Sequence, residues 1–147
     1  GDDVGMADPN AMLMATSAFF ACKNMGMPEC RYALAQTVIY LSLAPRSNSV
    51  AVAIDRALSD VRNRPAEPVP MQLRNAETKL MEQLGYGKGY EYPEGTEEKI
   101  TKMQCLPDSL KDAIYYTPGD RGNEAFYRKR LEAIRDWKAG RREDPPE

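Results

Sequence analysis

The residue types that most often carry catalysis are scarce in this chain, and their spacing settles most of what remains. There is no histidine, which removes the usual general base near neutral pH and the imidazole metal ligand. Ser-His-Asp, Cys-His and H-E-x-x-H arrangements are therefore excluded. Three cysteines, Cys22, Cys30 and Cys105, form no C-x-x-C, and without histidine they predict no structural zinc site. Cys22 and Cys30 fall in apolar helical patterns, where a reduced thiol behaves as a small hydrophobe. The adjacent carboxylates Glu97 and Glu98 are the acid/base candidates that remain, but a polar loop offers nothing to desolvate one and raise its pKa.

The run Gly85-Tyr86-Gly87-Lys88-Gly89-Tyr90 invites a phosphate-loop reading and fails it. Glu82 stands where the first glycine of a P-loop belongs, and Gly89 stands where Ser or Thr should follow the lysine. Tyr90 occupies the third glycine position of the dinucleotide pattern, and no strand precedes. Gly85 is better read as the left-handed cap of a helix. The sequence thus predicts no catalytic, cofactor-binding or metal-binding residue.

The elements that would hold any site in place are helices. The 147 residues suit one ordinary domain, with 42% apolar and 29% charged residues, a globular balance. A formal charge of −2 gives no basic field for nucleic acid. Gly1-Asp2-Asp3-Val4 has no basic region ahead of an apolar run, so it is expected to be the inside of a longer protein rather than a signal peptide. Ala11 to Cys22 carries ten apolar residues in twelve, too short for a membrane span, which needs about 20. No membrane association is expected.

Asp8-Pro9 predicts a helix start and Gly26 its stop, giving a helix over about 9–25. Pro28 is expected to open a second, over 28–44, ended by Pro45. Ser47 is expected to cap a third, over 48–63, with Val50, Ala53, Ile54, Ala57, Leu58 and Val61 along one stripe. Three prolines between Pro65 and Pro70 predict an extended connector. Asn75 is expected to cap a fourth helix over 76–84, and a last one runs over 123–139 to Gly140. The expected fold is all-α, a multi-helix bundle over 1–140 with a long ordered irregular segment at 85–122 and a frayed tail at 141–147.

Five of the eight tyrosines fall in that irregular segment. Tyrosine suits interfaces because it joins apolar area to a hydroxyl, so Tyr86, Lys88, Tyr90, Tyr92, Tyr115 and Tyr116 are interaction candidates. Packing against the segment's own domain explains them equally well. Between Asn123 and Arg142 seven basic residues face three acidic ones. Arg128, Lys129, Arg130 and Arg135 are accordingly candidate phosphate contacts, against the plainer reading of a solvated helix face.

Several strings, taken in order, resemble a known family. They are Asp2-Asp3-Val4-Gly5-Met6-Ala7-Asp8-Pro9, Gly26-Met27-Pro28-Glu29, Leu34-Ala35-Gln36, Ala44-Pro45-Arg46-Ser47-Asn48, and Pro68-Val69-Pro70 with Leu73-Arg74-Asn75-Ala76. The glycine–tyrosine run with Tyr92-Pro93 and Leu106-Pro107-Asp108 completes the series. Together they resemble the region after the ATPase lid in the RarA/MgsA family of AAA+ proteins, whose eukaryotic relatives are the Werner-helicase-interacting proteins, from Asp2 to about Leu131. Glu94 departs from a histidine that follows the Tyr-Pro pair in many members.

The resemblance implies a clamp-loader-type oligomerisation domain that assembles the ATPase as a homotetramer and packs against the upstream ATPase domain. It implies a cytoplasmic, nucleoid-associated parent that acts in DNA replication, repair and recombination, and a link to single-stranded-DNA-binding protein. ATP, Mg and DNA contacts would belong to the parent, since the family's nucleotide motifs lie upstream. Three functions compete on these grounds: a scaffold for self-association, a nucleic-acid module built on the basic last helix, and an acid/base enzyme under the tyrosine-rich loop. The absent histidine weighs against the last.

Overall fold

The computed structural model describes residues 1–96 and 99–146. It shows α1 (Asn10–Met25), α2 (Arg31–Leu43), α3 (Ser49–Asn63), α4 (Lys79–Gln83) and α5 (Glu124–Lys138), with short 3-10 turns between them and no strand among the described residues. The fold class is all-α, as expected. Glu97 and Glu98, the acid/base candidates, lie outside the described residues.

Local chemistry explains most of the helix ends. Asp8 is extended (φ −147°, ψ 92°), and its Oδ1 accepts the Asn10 amide at 3.1 Å, satisfying a free donor at the start of α1. Gly26, at φ 72°, closes that helix by donating to Cys22 O at 3.1 Å. Ala44 is extended ahead of Pro45 and ends α2, as the clash of the proline ring with a helical predecessor requires. Gly85, at φ 87°, and Tyr86 return their amides to Glu82 O and Met81 O at 3.0 and 3.1 Å, the left-handed cap expected of this glycine. Gly140 and Arg141 close α5 in the same manner on Trp137 and Asp136.

Two expected starts are corrected. Pro28 does not open α2; it sits in a turn after a cis Met27–Pro28 bond. Cys30 N–H bonds to Gly26 O at 3.0 Å and Arg31 N–H to Pro28 O at 3.3 Å, so the turn completes before the helix begins at Arg31. Asn75 does not cap α4. Thr78 does, with an extended backbone (φ −127°, ψ 156°) and its Oγ1 accepting the Met81 amide at 3.2 Å. An extended Thr78 breaks any helix begun upstream, and its hydroxyl competes for the same role.

The chain divides into two compact units, 1–59 with 115–129 and 60–114 with 130–147. In the first, α1 packs along α2 through small residues: Ala11, Ala18 and Cys30 are buried. Thr37, on the same inner face, bonds its hydroxyl back to Ala33 O at 2.8 Å. Tyr40 on α2 donates to Asp8 Oδ2 at 2.6 Å, and this acceptor pushes the Tyr40 phenol above its ordinary value. The N-terminal strap is pinned by Ser47 N–H to Asp3 O at 3.0 Å and by Asn123 N–H to Ala7 O at 2.8 Å.

Gly122 stands where that strap crosses. Its φ is +54°, and a Cβ there would collide with the Ala7 carbonyl oxygen and lie 2.7 Å from Pro45 Cγ. Gly122→Ala combines an unfavourable backbone with a backbone clash, and should cost roughly 2–4 kcal/mol. Thermal unfolding followed by circular dichroism would show it; an unchanged midpoint would mean that the strap is not seated this way.

In the second unit, irregular chain is tied down by side-chain-to-backbone bonds. Gln72 Nε2 donates to Gln104 O at 2.7 Å and Gln104 Nε2 to Lys111 O at 3.1 Å, while Gly87 N–H reaches Met71 O at 2.9 Å. Ser109 donates to Glu67, and Thr96 Oγ1 bonds to Pro93 O at 2.7 Å. Trp137 is buried, with Lys102 Nζ 4.8 Å from its ring centroid, a cation–π contact.

Candidate functional site

Among the described residues Glu124 is the largest side chain that is fully buried, at 0% exposure. A carboxylate out of water must be paired or saturated with donors, and this one is saturated. Its Oε1 accepts from Ser49 and from Tyr116 OH at 2.9 Å, and its Oε2 accepts the Gly119 amide at 2.9 Å. The Ser47 side chain, whose hydroxyl also accepts the Ser49 amide at 3.3 Å, further favours the anion. The first turn of α5 supplies Glu124, where free amide dipoles favour an anion. The segment ahead of α3 and its first residue supply the serines, and 115–119 supplies the rest.

Burial by itself would raise the Glu124 pKa. The hydrogen bonds from Ser47, Ser49, Tyr116 and the Gly119 amide outweigh it and hold the carboxyl below its ordinary value. The Tyr116 phenol is pushed up to about 12, by burial first and then by the carboxylate beside it. A carboxylate held ionised by these donors is a weak base. The approach is also closed, because a Cβ on Gly119 would lie 2.6 Å from Glu124 Oε2. This cluster fastens three segments together. Sequence reading missed it, counting Glu124 only as a helix charge; the serine partners stand 75 and 77 positions away, beyond the reach of any local pattern.

The surface of α1 and α2 is the opposite case. Met12, Leu13, Phe19 and Phe20 lie within one arc of about 120° on α1, taking 100° per residue, and are exposed by 55–69%. On α2, Leu34, Val38, Ile39 and Leu43 are exposed by 46–81%. Each helix is thus apolar on its outer face as well as on the face it buries. A helix that is apolar all round belongs in an interior, and an exposed patch of this kind marks an interaction surface. Beside it, a cleft of about 490 Å³ is lined by Val4, Met6, Met12, Leu41, Arg46 and Val50 among others.

The tyrosine candidates divide. In the second unit, Tyr86 is half-buried with Arg74 over its ring, 5.3 Å from the centroid, and Lys88 is exposed. Tyr90 and Tyr92 are exposed and meet edge to face at 4.7 Å. In the first unit Tyr115 is half-buried, and Tyr116 belongs to the Glu124 cluster. Of the candidate phosphate contacts, Arg128 gives its guanidinium to Pro118 O at 3.2 and 3.3 Å; Lys129 is exposed, while Arg130 and Arg135 are half-buried. Among the described residues no group of three His, Cys, Asp or Glu side chains could hold a metal ion, and no helix is long and apolar enough to cross a membrane.

Among the described residues the fold is all-α, the fully buried Glu124 carboxylate ties three segments of the first unit together, and an apolar face of α1 and α2 lies exposed. The chain belongs to the MgsA AAA+ ATPase C-terminal family, whose model matches residues 1–135. It is 40% identical over 136 residues to Replication-associated recombination protein A of Haemophilus influenzae, covering 92% of this chain and 30% of that protein. The protein of the same name in Escherichia coli is 40% identical over 131 residues, or 88% of this chain and 29% of that one. ATPase WRNIP1 of Dictyostelium discoideum is 34% identical over 116 residues, 78% of this chain and 13% of that protein. The chain therefore spans less than a third of each of these relatives.

Proposed function

We propose that this chain is the self-association and docking domain of a DNA-dependent AAA+ ATPase that acts in replication-fork maintenance and recombination. The observation that carries the reading is the outer face of α1 and α2, eight large apolar side chains held in water by two helices that are already packed on each other. Burying that face against further copies removes it from solvent, at roughly 25 cal/mol per Å² of apolar area. A homotetramer is the expected assembly. Its value to the parent is stoichiometric: tethering several ATPase modules raises their effective concentration on DNA with no new chemistry in this domain.

ATP and Mg binding, and the contacts to DNA, are assigned to the remainder of the parent, which works in the cytoplasm at the nucleoid. The tyrosine-bearing segment is the surface assigned to a protein partner such as single-stranded-DNA-binding protein. The family and the names of the relatives support the parent's being an AAA+ ATPase of replication and recombination. Sedimentation equilibrium of the chain at micromolar concentration tests the reading: it should report a species near four times the chain mass. A monomer with full helical circular dichroism at about 100 μM would overturn it, because an apolar face of this kind should associate well below that concentration.

A further inference from the structure

Eight methionines are spread along the chain, and those more than half in water are Met12 at 69%, Met25 at 57% and Met27 at 72%. All three belong to α1 or to the turn that follows it. Their directions differ. Taking 100° per residue, Met12 lies between Phe19 and Phe20 on the outer arc of α1, whereas Met25 points about 140° away, toward the side of the buried Ala11 and Ala18. Met27 lies beyond the end of the helix. Met12 also lines the cleft shared by Val4, Met6, Leu41 and Val50, so its sulfur borders two apolar surfaces of the first unit.

A thioether packs as a flexible apolar group, yet one oxygen atom on its sulfur makes it polar and leaves the backbone untouched. The other large side chains of that arc, Leu13, Phe19 and Phe20, carry no atom so easily oxidised. Met12 is therefore the point at which an oxidant can change the character of the face.

We propose that Met12 is a redox switch on self-association: a hydroperoxide converts it to the sulfoxide and releases folded monomers, and reduction of the sulfoxide restores the assembly. The switch acts on the self-association proposed above and rests on it. With hydrogen peroxide, one oxygen passes to sulfur as the O–O bond breaks and the S–O bond forms. Sulfur gives up two electrons, and the peroxide leaves as water, carrying the proton of the transferred oxygen. Assembly covers Met12, so the oxidant meets it in the dissociated chain and draws the equilibrium that way. A sulfoxide oxygen is a strong acceptor that an apolar contact leaves unpaired, and in a two-fold contact the loss is met twice.

Sedimentation equilibrium of the whole chain before and after hydrogen peroxide, with each sulfoxide mapped by peptide mass spectrometry, is the test. Oxidation at Met12 should weaken association by about tenfold or more, with unchanged helical circular dichroism. The two methionine sulfoxide reductases should restore it, which separates thioether chemistry from oxidation of the three cysteines. Met12→Leu should stay assembled under the same peroxide, while Met25→Leu and Met27→Leu should dissociate as the wild type does. A wild type that stays assembled with Met12 oxidised would overturn the switch and leave self-association standing. So would a Met12 that remains a thioether while Met25 and Met27 are oxidised, or a Met12→Leu chain that dissociates as readily as the wild type. A chain already monomeric before any oxidant would sink self-association itself, and the switch with it.

Discussion

Glu124→Ala is expected to lower the unfolding free energy by about 3–5 kcal/mol at pH 7, the range for stripping one partner from a buried charged network. The substitution leaves the Ser47 and Ser49 hydroxyls, the Tyr116 hydroxyl and the Gly119 amide facing a void instead of an anion. At about 2–4 °C per kcal/mol for a chain of this size, the midpoint should fall by roughly 10 °C. Glu124→Gln keeps the shape but replaces two acceptors by one acceptor and one donor. The amide must then point its NH₂ at a donor already present, so most of the penalty should remain.

The pH dependence separates charge from shape. Because the folded carboxyl titrates below its ordinary value, its contribution is complete above the unfolded pKa of about 4.3 and is lost as the pH falls through the depressed folded value. The gap between wild type and Glu124→Gln in urea unfolding should therefore be full at pH 7 and narrow below about pH 4. A gap that stays constant down to pH 2 would show that ionisation of Glu124 contributes nothing.

The second large effect concerns assembly. Phe20→Asp with Val38→Asp places two charges on the outer faces of α1 and α2, where the native residues are 55% and 63% exposed. Exposed positions cost the isolated fold little, within about 0.5 kcal/mol each. In an interface, each desolvated and unpaired charge costs at least about 2 kcal/mol. The pair should therefore weaken association by roughly 1000-fold or more and yield a folded monomer by sedimentation equilibrium, with unchanged helical circular dichroism. A double variant that still associates would move the self-association surface elsewhere, with the exposed Tyr90 and Tyr92 the next face to alter.

These expectations rest on features of very different legibility. The stripe of α3 was readable because its apolar residues recur at helical spacing, and the ends of α1, α2 and α5 because Asp8, Gly26, Pro45 and Gly140 act on backbone within a turn of themselves. The apolar character of Ala11 to Cys22 was equally plain. Its meaning was not: composition marks a core helix, whereas the fold leaves much of it in water. The start of α4 was misplaced because Asn75 and Thr78 are both competent caps, and only the extended backbone at Thr78 chooses between them.

What the sequence determined alone is the set of helices and the absence of the residues that most catalytic designs need. Those depend on a residue and its near neighbours, because backbone hydrogen bonds, proline rings and left-handed glycines act over about four positions. The tertiary structure alone decided that Glu124 is buried by serines more than 70 positions earlier and that Gly122 cannot carry a side chain. Each is a relation between distant segments. It is fixed by which surfaces pack together, and that packing carries no local periodicity for a sequence to display.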